Sequence, residues 1–255
     1  MWKITPLDLG CLQMTTATLI SRFGVFNDVG KIVPSPCIAW LLTNLKDERK
    51  ILVDAGPGGD AEWLSKWHNP ISINNEQQLE TALGKYKVAV EDIKKVILTH
   101  LHWDHAIGML KLPNAEAFVQ KKEIQYAVAP LRTEYKHYEL NIKTQMPYFL
   151  KYYNQLILID GDKIIDEGIQ LITLPGHTPG SQGVVVDTLK GKYVLGGDLI
   201  CTLENWETRI PGGVYSNMQD HLNSMDKIEQ YNATYNATVL PSHDYAAFEM
   251  LKENL

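Results

Sequence analysis

The stretch His100-Leu101-His102-Trp103-Asp104-His105 lies directly after the apolar residues 96–99. A short β-branched run of this kind predicts a buried strand, which would bring the histidines to one rim of a sheet. Three imidazoles and a carboxylate within six residues, with no cysteine among them, suit a zinc-like or iron-like ion that keeps positions open for water. Structural zinc sites more often use thiolates, so this pattern favours a metal centre that does chemistry.

Three later stretches place ligand types in the same setting. His177 lies in a Pro-Gly-His-Thr-Pro-Gly turn after a predicted strand that ends at Leu174. Asp198 follows two glycines after another predicted strand, and His243 follows a predicted strand at residues 238–240. Glycine-rich turns let an ion approach the backbone closely, and strand ends hold ligands rigidly. The four stretches together predict one metal centre built at strand ends.

The overall composition predicts one soluble globular unit. The chain has 255 residues, of which 45% are hydrophobic and 21% are charged, and its net charge is −6. This acidic balance favours a small-molecule substrate and argues against extended contact with nucleic acid. Because no signal peptide or membrane-spanning segment is recognisable, we expect a cytoplasmic protein with no membrane contact. Three cysteines do not predict a disulfide framework: Cys11, Cys37 and Cys201.

The hydrophobic pattern predicts strands in two groups, with helices between and after them. A first strand at residues 2–9 precedes a loop from Thr15 to Pro36, and further strands lie at 38–42, 51–54, 96–99 and 115–120. Strands at 156–160, 169–174, 183–186 and 192–195 are expected to form an antiparallel meander. Helices are expected at 76–83, 121–128, 218–231 and 246–251. No linker interrupts the chain, so we predict a single α+β domain over residues 1–255, with two packed sheets and helices outside.

Two other groups of residues are assigned to packing. The dense aromatic residues between 129 and 155 are assigned chiefly to the core, with a substrate pocket as the alternative. His68, His137 and His221 have no neighbouring ligand types in the sequence and are assigned to surface or packing roles.

The metal motifs resemble those of the metallo-β-lactamase superfamily, and the strand order from residue 36 to residue 246 agrees with that resemblance. It implies an αβ/βα four-layer sandwich of two mixed sheets with helices on the outer faces. It also implies a first metal ion held by His100, His102 and His177, and a second held by Asp104, His105 and His243. Asp198 would bridge the two ions.

A pair of divalent ions would explain this combination of ligands. Ions roughly 3.5–4 Å apart can make a bridging water acidic, polarise a carbonyl and stabilise a leaving oxygen. We expect zinc, with iron or manganese as alternatives, because these ligands do not fix the metal. Asp104 is the candidate for orienting the attacking hydroxide while it binds the second ion.

Within the superfamily, the chain looks most like N-acyl homoserine lactonases. The long loop before Pro36 and the Glu204-Asn205 pair carry this resemblance. One residue departs from the pattern, because Cys201 stands where these lactonases have a tyrosine that assists the carbonyl or the leaving group. A thiol is a poorer hydrogen-bond donor than a phenol. Tyr215 or Trp103 is the alternative residue for that part of the pocket.

We therefore predict a di-metal hydrolase that opens a lactone or related ester by attack of a metal-bridging hydroxide on the carbonyl. A thioester hydrolase resembling glyoxalase II would use the same ligands, but its C-terminal cationic residues are not found here. The acidic charge disfavours a phosphodiester nuclease. A non-catalytic ligand-binding or regulatory protein that keeps its metal is the alternative from another class. The predicted partner is a small molecule, and a homodimer is left open.

Overall fold

The computed structural model describes residues 1–21 and 28–252, which form two β-sheets packed face to face. The first sheet has the strand order β4-β1-β2-β3-β5-β6-β7. Its strands are β1 (Trp2–Thr15), β2 (Ile32–Asn44), β3 (Lys50–Val53), β4 (Ile71–Ser72), β5 (Lys95–Ile97), β6 (Glu116–Gln120) and β7 (Leu156–Ile159). Strands β4, β1, β2 and β3 pair antiparallel, whereas β3, β5, β6 and β7 run parallel, so the sheet is mixed.

The second sheet has the order β12-β11-β10-β9-β8 and is also mixed. Its strands are β8 (Lys163–Asp166), β9 (Ile169–Thr173), β10 (Gln182–Thr188), β11 (Gly191–Leu195) and β12 (Thr238–Leu240). Strands β8 to β11 form an antiparallel meander, and β12 pairs parallel with β11.

Nine α-helices of the described residues pack against the two sheets. Along the chain they are α1 (Thr16–Leu19), α2 (Ala61–Trp67), α3 (Leu79–Gly84), α4 (Trp103–Ala106), α5 (Lys121–Ala127), α6 (Tyr148–Lys151), α7 (Leu203–Thr208), α8 (Met218–Tyr235) and α9 (Ala246–Lys252). Within the described ranges, no helix is both long enough and apolar enough to cross a membrane.

Alternation of side chains along the strands explains the layers. On β2, Trp40 and Leu42 join a core with Leu171 and Val184 of the second sheet, whereas Leu41 belongs to another core on the opposite face. Successive residues of a strand point to opposite faces, so a strand with apolar residues at every position is buried on both sides. The outer core of the first sheet includes residues of α2, α3, α4, α5 and α6.

Helix α8 covers the second sheet. Its residues Met225 and Ile228 share a core with Val185 of β10 and Val194 of β11. The order of layers is therefore helices, sheet, sheet, helix. This arrangement confirms the predicted four-layer sandwich of two mixed sheets.

Three predictions of local structure need correction. Strand β1 continues to Thr15, with a register shift between Asp8 and Cys11. Gly10 accommodates this shift at a φ of +147°, a backbone angle that other residues rarely adopt. Of the predicted loop from Thr15 to Pro36, residues 22–27 lie outside the described part of the chain, and the rest includes α1 and the start of β2.

The predicted meander was wrong in one strand. Strand β7 does not pair with the second sheet but lies parallel to β6 in the first. The meander instead begins at β8, directly after the turn at Gly161. The predictions for α5, α8, α9 and β12 are confirmed to within a few residues at each end.

Candidate metal centre

The seven predicted ligand residues come together in two adjacent groups. The first contains His100, His102 and His177, and the second contains Asp104, His105, Asp198 and His243. Within each group, the candidate ligand atoms all lie within 4.8 Å of one another. Such convergence of buried imidazoles and carboxylates is the arrangement that a metal centre requires.

Both sheets contribute to this centre. His100 and His102 follow β5 of the first sheet, and Asp104 and His105 lie in the short helix α4 that comes next. From the second sheet, the turn after β9 carries His177, the turn after β11 carries Asp198, and the turn after β12 carries His243. The prediction that every ligand segment follows a strand is confirmed.

The distances within the groups are short. Nε2 of His177 lies 3.2 Å from Nε2 of His100 and 3.0 Å from Nδ1 of His102. In the second group, Nε2 of His105 and Nε2 of His243 are 3.3 Å apart. The ring nitrogens of each group therefore point at a common position.

Asp198 lies between the two groups. Its Oδ1 atom is 3.0 Å from Nε2 of His105 and 3.1 Å from Nε2 of His243. Its Oδ2 atom is 3.5 Å from Nε2 of His177. The hydroxyl of Ser242 donates a hydrogen bond to Oδ1 at 2.7 Å and orients the carboxylate. One carboxylate is thus within reach of ligands in both groups.

Four of the five ligand imidazoles have a defined tautomer, because the acceptors at their outer nitrogens leave no choice. Nδ1 of His177 donates to the carbonyl of Val214 at 2.8 Å, and Nδ1 of His243 donates to the carbonyl of Pro36 at 2.9 Å. A carbonyl oxygen can only accept, so the inner Nε2 of each ring carries a lone pair when the imidazole is neutral.

The remaining two of these four are fixed through Asp54. Its carboxylate accepts hydrogen bonds from Nδ1 of His105 at 2.9 Å and from the hydroxyl of Thr99 at 2.9 Å. Since the hydroxyl proton of Thr99 is used there, its oxygen accepts from Nδ1 of His100 at 3.1 Å. Outer hydrogen bonds of this kind orient the ligands of metal sites.

This donor set fits two divalent ions. Inner lone pairs that face one another at 3.0–3.3 Å repel unless a cation lies among them. Burial and neighbouring imidazoles lower the pKa of His100 and His102 well below the ordinary value, which keeps both neutral and available as ligands.

The second group is more strongly anionic. Burial opposes protonation of His105, but Asp198, Asp104 and Asp54 outweigh it and raise its pKa well above the ordinary value. Burial likewise disfavours the charged form of Asp198, but His105 and His243 outweigh it and hold the pKa of that carboxyl well below its usual range. Carboxylates that attract a proton here attract a metal cation for the same reason.

A cavity of about 440 Å³ opens onto the ligands. Its lining includes the ligands His102, Asp104, His177 and Asp198, the apolar side chains of Leu12, Met14 and Trp103, and the polar residues Asn69, Glu134, Lys136, His137 and Tyr215. This volume falls in the range of pockets for small molecules. Tyr215 and Trp103 therefore line the cavity as expected, while their part in catalysis stays a prediction.

Cys201 lies elsewhere. Its side chain is buried, its thiol contacts the backbone oxygen of Asp198 at 3.5 Å, and it does not contribute to the cavity wall. Burial, Asp198 and Asp104 raise the pKa of this thiol well above its ordinary value. A direct catalytic role for Cys201 stays a prediction that its position does not support.

Two buried carboxylates were missed as parts of the site. In the sequence, Asp54 is recognisable only as the end of a predicted strand. Because it directly follows β3, its carboxylate lies beside His105 and Thr99 and accepts hydrogen bonds from both. Glu123 is fully buried and accepts hydrogen bonds from the backbone of Leu101 at 2.9 Å and the hydroxyl of Thr178 at 2.5 Å. It therefore joins the first histidine loop to the turn that carries His177.

The other histidines are packed rather than exposed. His221 is buried and donates to the carbonyl of Leu199 at 2.9 Å. His68 stacks on Trp103, with ring centroids 4.2 Å apart. His137 stacks on the candidate ligand His102, with ring centroids 4.6 Å apart, and no sequence pattern predicted this contact.

The aromatic residues after position 129 are mostly core residues, as predicted. Tyr138, Tyr148, Phe149 and Tyr152 are buried in the outer core of the first sheet. The hydroxyl of Tyr152 donates to the carbonyl of Ala106 at 3.1 Å and so supports α4 from behind.

Known proteins share both this sequence pattern and this fold. A family model described as the Metallo-beta-lactamase superfamily matches residues 32–243. N-acyl homoserine lactonase AttM of Rhizobium radiobacter is 29% identical over 175 residues, which are 64% of this chain and 62% of that protein. An N-acyl homoserine lactonase of Bacillus sp is 30% identical over 191 residues, or 71% of each chain. The chain thus matches less than two thirds of the length of the Rhizobium protein.

Solved structures agree on the fold. A mutant of Bacillus thuringiensis AiiA with N-decanoyl-L-homoserine bound has a TM-score of 0.80 at 23% identity, covering 97% of this chain and 95% of that chain. The dizinc quorum-quenching lactonase AidC, in complex with a product, has a TM-score of 0.73 at 19% identity, covering 95% and 87%. Together with the family match, these findings mean that the chain belongs to the metallo-beta-lactamase superfamily, where its relatives include proteins named N-acyl homoserine lactonase.

Proposed function

We propose that this protein is a di-metal hydrolase that opens a lactone or a related ester, in the manner of its N-acyl homoserine lactonase relatives. The observation that carries the proposal is the double group of ligands, joined by Asp198, at the floor of a small-molecule cavity. The names of the curated relatives support the lactone as substrate.

The ligands suit two zinc ions, and a dizinc structural neighbour supports that choice of metal. His100, His102 and His177 would hold the first ion, Asp104, His105 and His243 the second, and Asp198 both. Such a pair of ions supplies an activated water and polarises the ester carbonyl. The carboxylate of Asp104 is the group that would accept a hydrogen bond from that water and orient it toward the carbonyl.

The cavity suits an ester with an apolar substituent. Leu12, Met14 and Trp103 offer an apolar wall on which an acyl chain could pack, at roughly 25 cal/mol for each Å² removed from water. Tyr215 lines the same cavity and is the hydroxyl that would donate to the carbonyl or to the leaving oxygen. Its position favours it over Cys201 for this role.

A substrate panel with metal control tests the proposal. Purified protein loaded with zinc is assayed against N-acyl homoserine lactones of several chain lengths, a simple aryl ester, a glutathione thioester and a phosphodiester. We expect lactone or ester hydrolysis that a chelator abolishes and added zinc restores. Asp198→Ala should lose this activity, whereas Asp47→Ala, which removes an exposed carboxylate paired with Arg49, should keep it.

Each other outcome has a distinct meaning. Hydrolysis of the thioester alone would replace this proposal with the glyoxalase II type of reaction. Tight binding of a ring-opened product without multiple turnover would favour a ligand-binding protein. No chelator-sensitive hydrolysis of any compound would reject a hydrolase of this class.

The remaining parts of the proposal concern the protein's setting. We propose a small molecule as its partner, without nucleic acid, and a single domain over residues 1–255. The free thiols of Cys11, Cys37 and Cys201 agree with a reducing compartment such as the cytoplasm. A homodimer stays open, and sedimentation of the purified protein would decide it.

A further inference from the structure

One ligand imidazole differs from the other four at its outer nitrogen. His100, His105, His177 and His243 each donate an outer N–H to an oxygen of the protein. His102 turns Nδ1 toward His177, so its outer nitrogen is Nε2, and this atom is buried without a hydrogen-bond partner. A buried N–H that lacks an acceptor is destabilising, and nearly all such groups in folded proteins have a partner.

The group that faces this nitrogen is also without a partner. Oε2 of Glu134 lies 3.7 Å from Nε2 of His102. Within residues 1–21 and 28–252, only five buried side-chain nitrogen or oxygen atoms lack a hydrogen-bond partner, and these two are among them. These two groups face each other without a bond, because their separation of 3.7 Å is about 0.5 Å beyond the longest ordinary N–H···O hydrogen bond.

The neighbours of His102 fix the orientation of its ring but do not decide which ring nitrogen carries the proton. The ring of His137 stacks on it at 4.6 Å, with an interplanar angle of 28°. The ring of Tyr138 meets it edge-on at 5.0 Å. Both rings and Glu134 belong to the 3₁₀ helix Arg132–Tyr138. Ring packing restricts rotation but does not decide which nitrogen carries the proton, whereas an acceptor at Nε2 would favour the tautomer with its proton there.

We propose that Glu134 is a positioning residue for the metal centre, which accepts a hydrogen bond from Nε2–H of His102 and so reserves Nδ1 for the first ion. A small rotation of Glu134 would close the gap. Burial raises the pKa of its carboxyl, while Thr133 and Lys136 oppose that shift. The inference rests on the proposed metal ions but not on the identity of the substrate.

The test measures metal affinity without any substrate. Zinc binding to wild type, Glu134→Ala and Glu134→Gln is titrated against a competing chelator. We expect Glu134→Ala to weaken the binding of one of the two ions by about 10–100-fold, as loss of a hydrogen-bonded outer partner does in other metal sites. Glu134→Gln should retain much of the affinity, because its amide oxygen can still accept. If Glu134→Ala is unstable, Glu134→Leu is measured instead with the same expectation.

A matched control separates this effect from general damage. Glu139 is another buried glutamate, and it pairs at 3.2 Å with His68, which is not a ligand. Glu139→Ala, which removes the same atoms as Glu134→Ala, should leave zinc affinity unchanged. In ¹⁵N-labelled, zinc-loaded protein, the Nε2 proton of His102 should exchange slowly with water in wild type and faster in Glu134→Ala.

The outcomes separate the two proposals. Wild-type protein that binds no zinc would reject both the proposed function and this inference. Wild type that binds two ions, with equal affinity and equal proton exchange in Glu134→Ala, would overturn the role of Glu134 alone.

Discussion

Oδ2 of Asp54 lies 2.9 Å from Nδ1 of His105, and the same carboxylate accepts hydrogen bonds from both the backbone and the hydroxyl of Thr99. Asp54 holds this position with a φ of +57°, a left-handed angle that asparagine and aspartate tolerate better than other side chains. One residue at the end of β3 therefore orients one ligand directly and the loop of two others through Thr99.

Asp54→Asn should weaken metal binding while the fold survives. Asparagine keeps the backbone angle, but it loses the negative charge and turns an NH2 group toward one of the donors that now bond to the two carboxylate oxygens. We expect a loss of about 10–100-fold in zinc affinity, measured by chelator competition. Asp162 accepts the same pair of bonds from Thr173, and its other partner is Lys227, so it contacts no candidate ligand. Asp162→Asn is therefore the matched control, and equal losses in both variants would contradict the prediction.

Gly176→Ala should disturb the turn that carries His177. Gly176 has a φ of +142°, and a Cβ atom there would lie 2.3 Å from Cα of His221. Gly191, with a φ of +120°, has open space at the same position. We expect Gly191→Ala to cost only the backbone strain, about 1–2 kcal/mol. Gly176→Ala should lower the free energy of unfolding in urea by more than this and should also weaken zinc binding. Equal losses of stability and equal zinc affinity in the two variants would contradict the prediction.

His221 should make stability depend on pH. Burial lowers its pKa to about 4, from an ordinary value of 6.5. As the pH falls, His221 is therefore protonated in the unfolded chain before it is protonated in the folded chain. The stability that neutral His221 contributes is complete above pH 6.5 and is lost as the pH falls toward 4. Relative to His221→Gln, wild type should lose about 1.4 kcal/mol of unfolding free energy for each pH unit in that window. A constant difference between the two proteins would contradict this.

Tyr215→Phe and Cys201→Ala should differ in their effect on the proposed reaction. Tyr215 lines the cavity, whereas the thiol of Cys201 is buried against the backbone of Asp198. Loss of a hydroxyl that stabilises the developing charge should lower kcat on the order of a hundredfold. Cys201→Ala should leave kcat near the wild-type value. The reverse result in a lactone assay would return the assisting role to Cys201.

The residues of the candidate metal centre could be found in the sequence because each ligand-bearing stretch follows a recognisable strand. The rule that strand ends hold ligands needs only local pattern, and it placed His177, Asp198 and His243 near the histidine cluster. The assignment of β7 to the second sheet was wrong because pairing of strands is not a local property: its partner β6 lies far away along the chain. A short apolar run carries no signal for the sheet that it joins.

The supporting carboxylates could not be predicted for a related reason. Glu123 follows two lysines, a pattern typical of an exposed helix start, and its burial depends on where α5 packs. Glu134 faces His102 only because the 3₁₀ helix Arg132–Tyr138 packs along the wall of the cavity. Hydrogen-bond partners set by tertiary packing leave no periodic trace in the sequence.

The division of the ligands between the two sheets has a consequence for how the chain folds. His100 and His102 come from the first sheet and Asp198 and His243 from the second, so neither sheet alone has a complete set for both ions. Contacts between such distant parts of a chain form only after slow, non-local loop closure. Tight zinc uptake during refolding should therefore coincide with docking of the two sheets, so that zinc binding would report when the sheets come together.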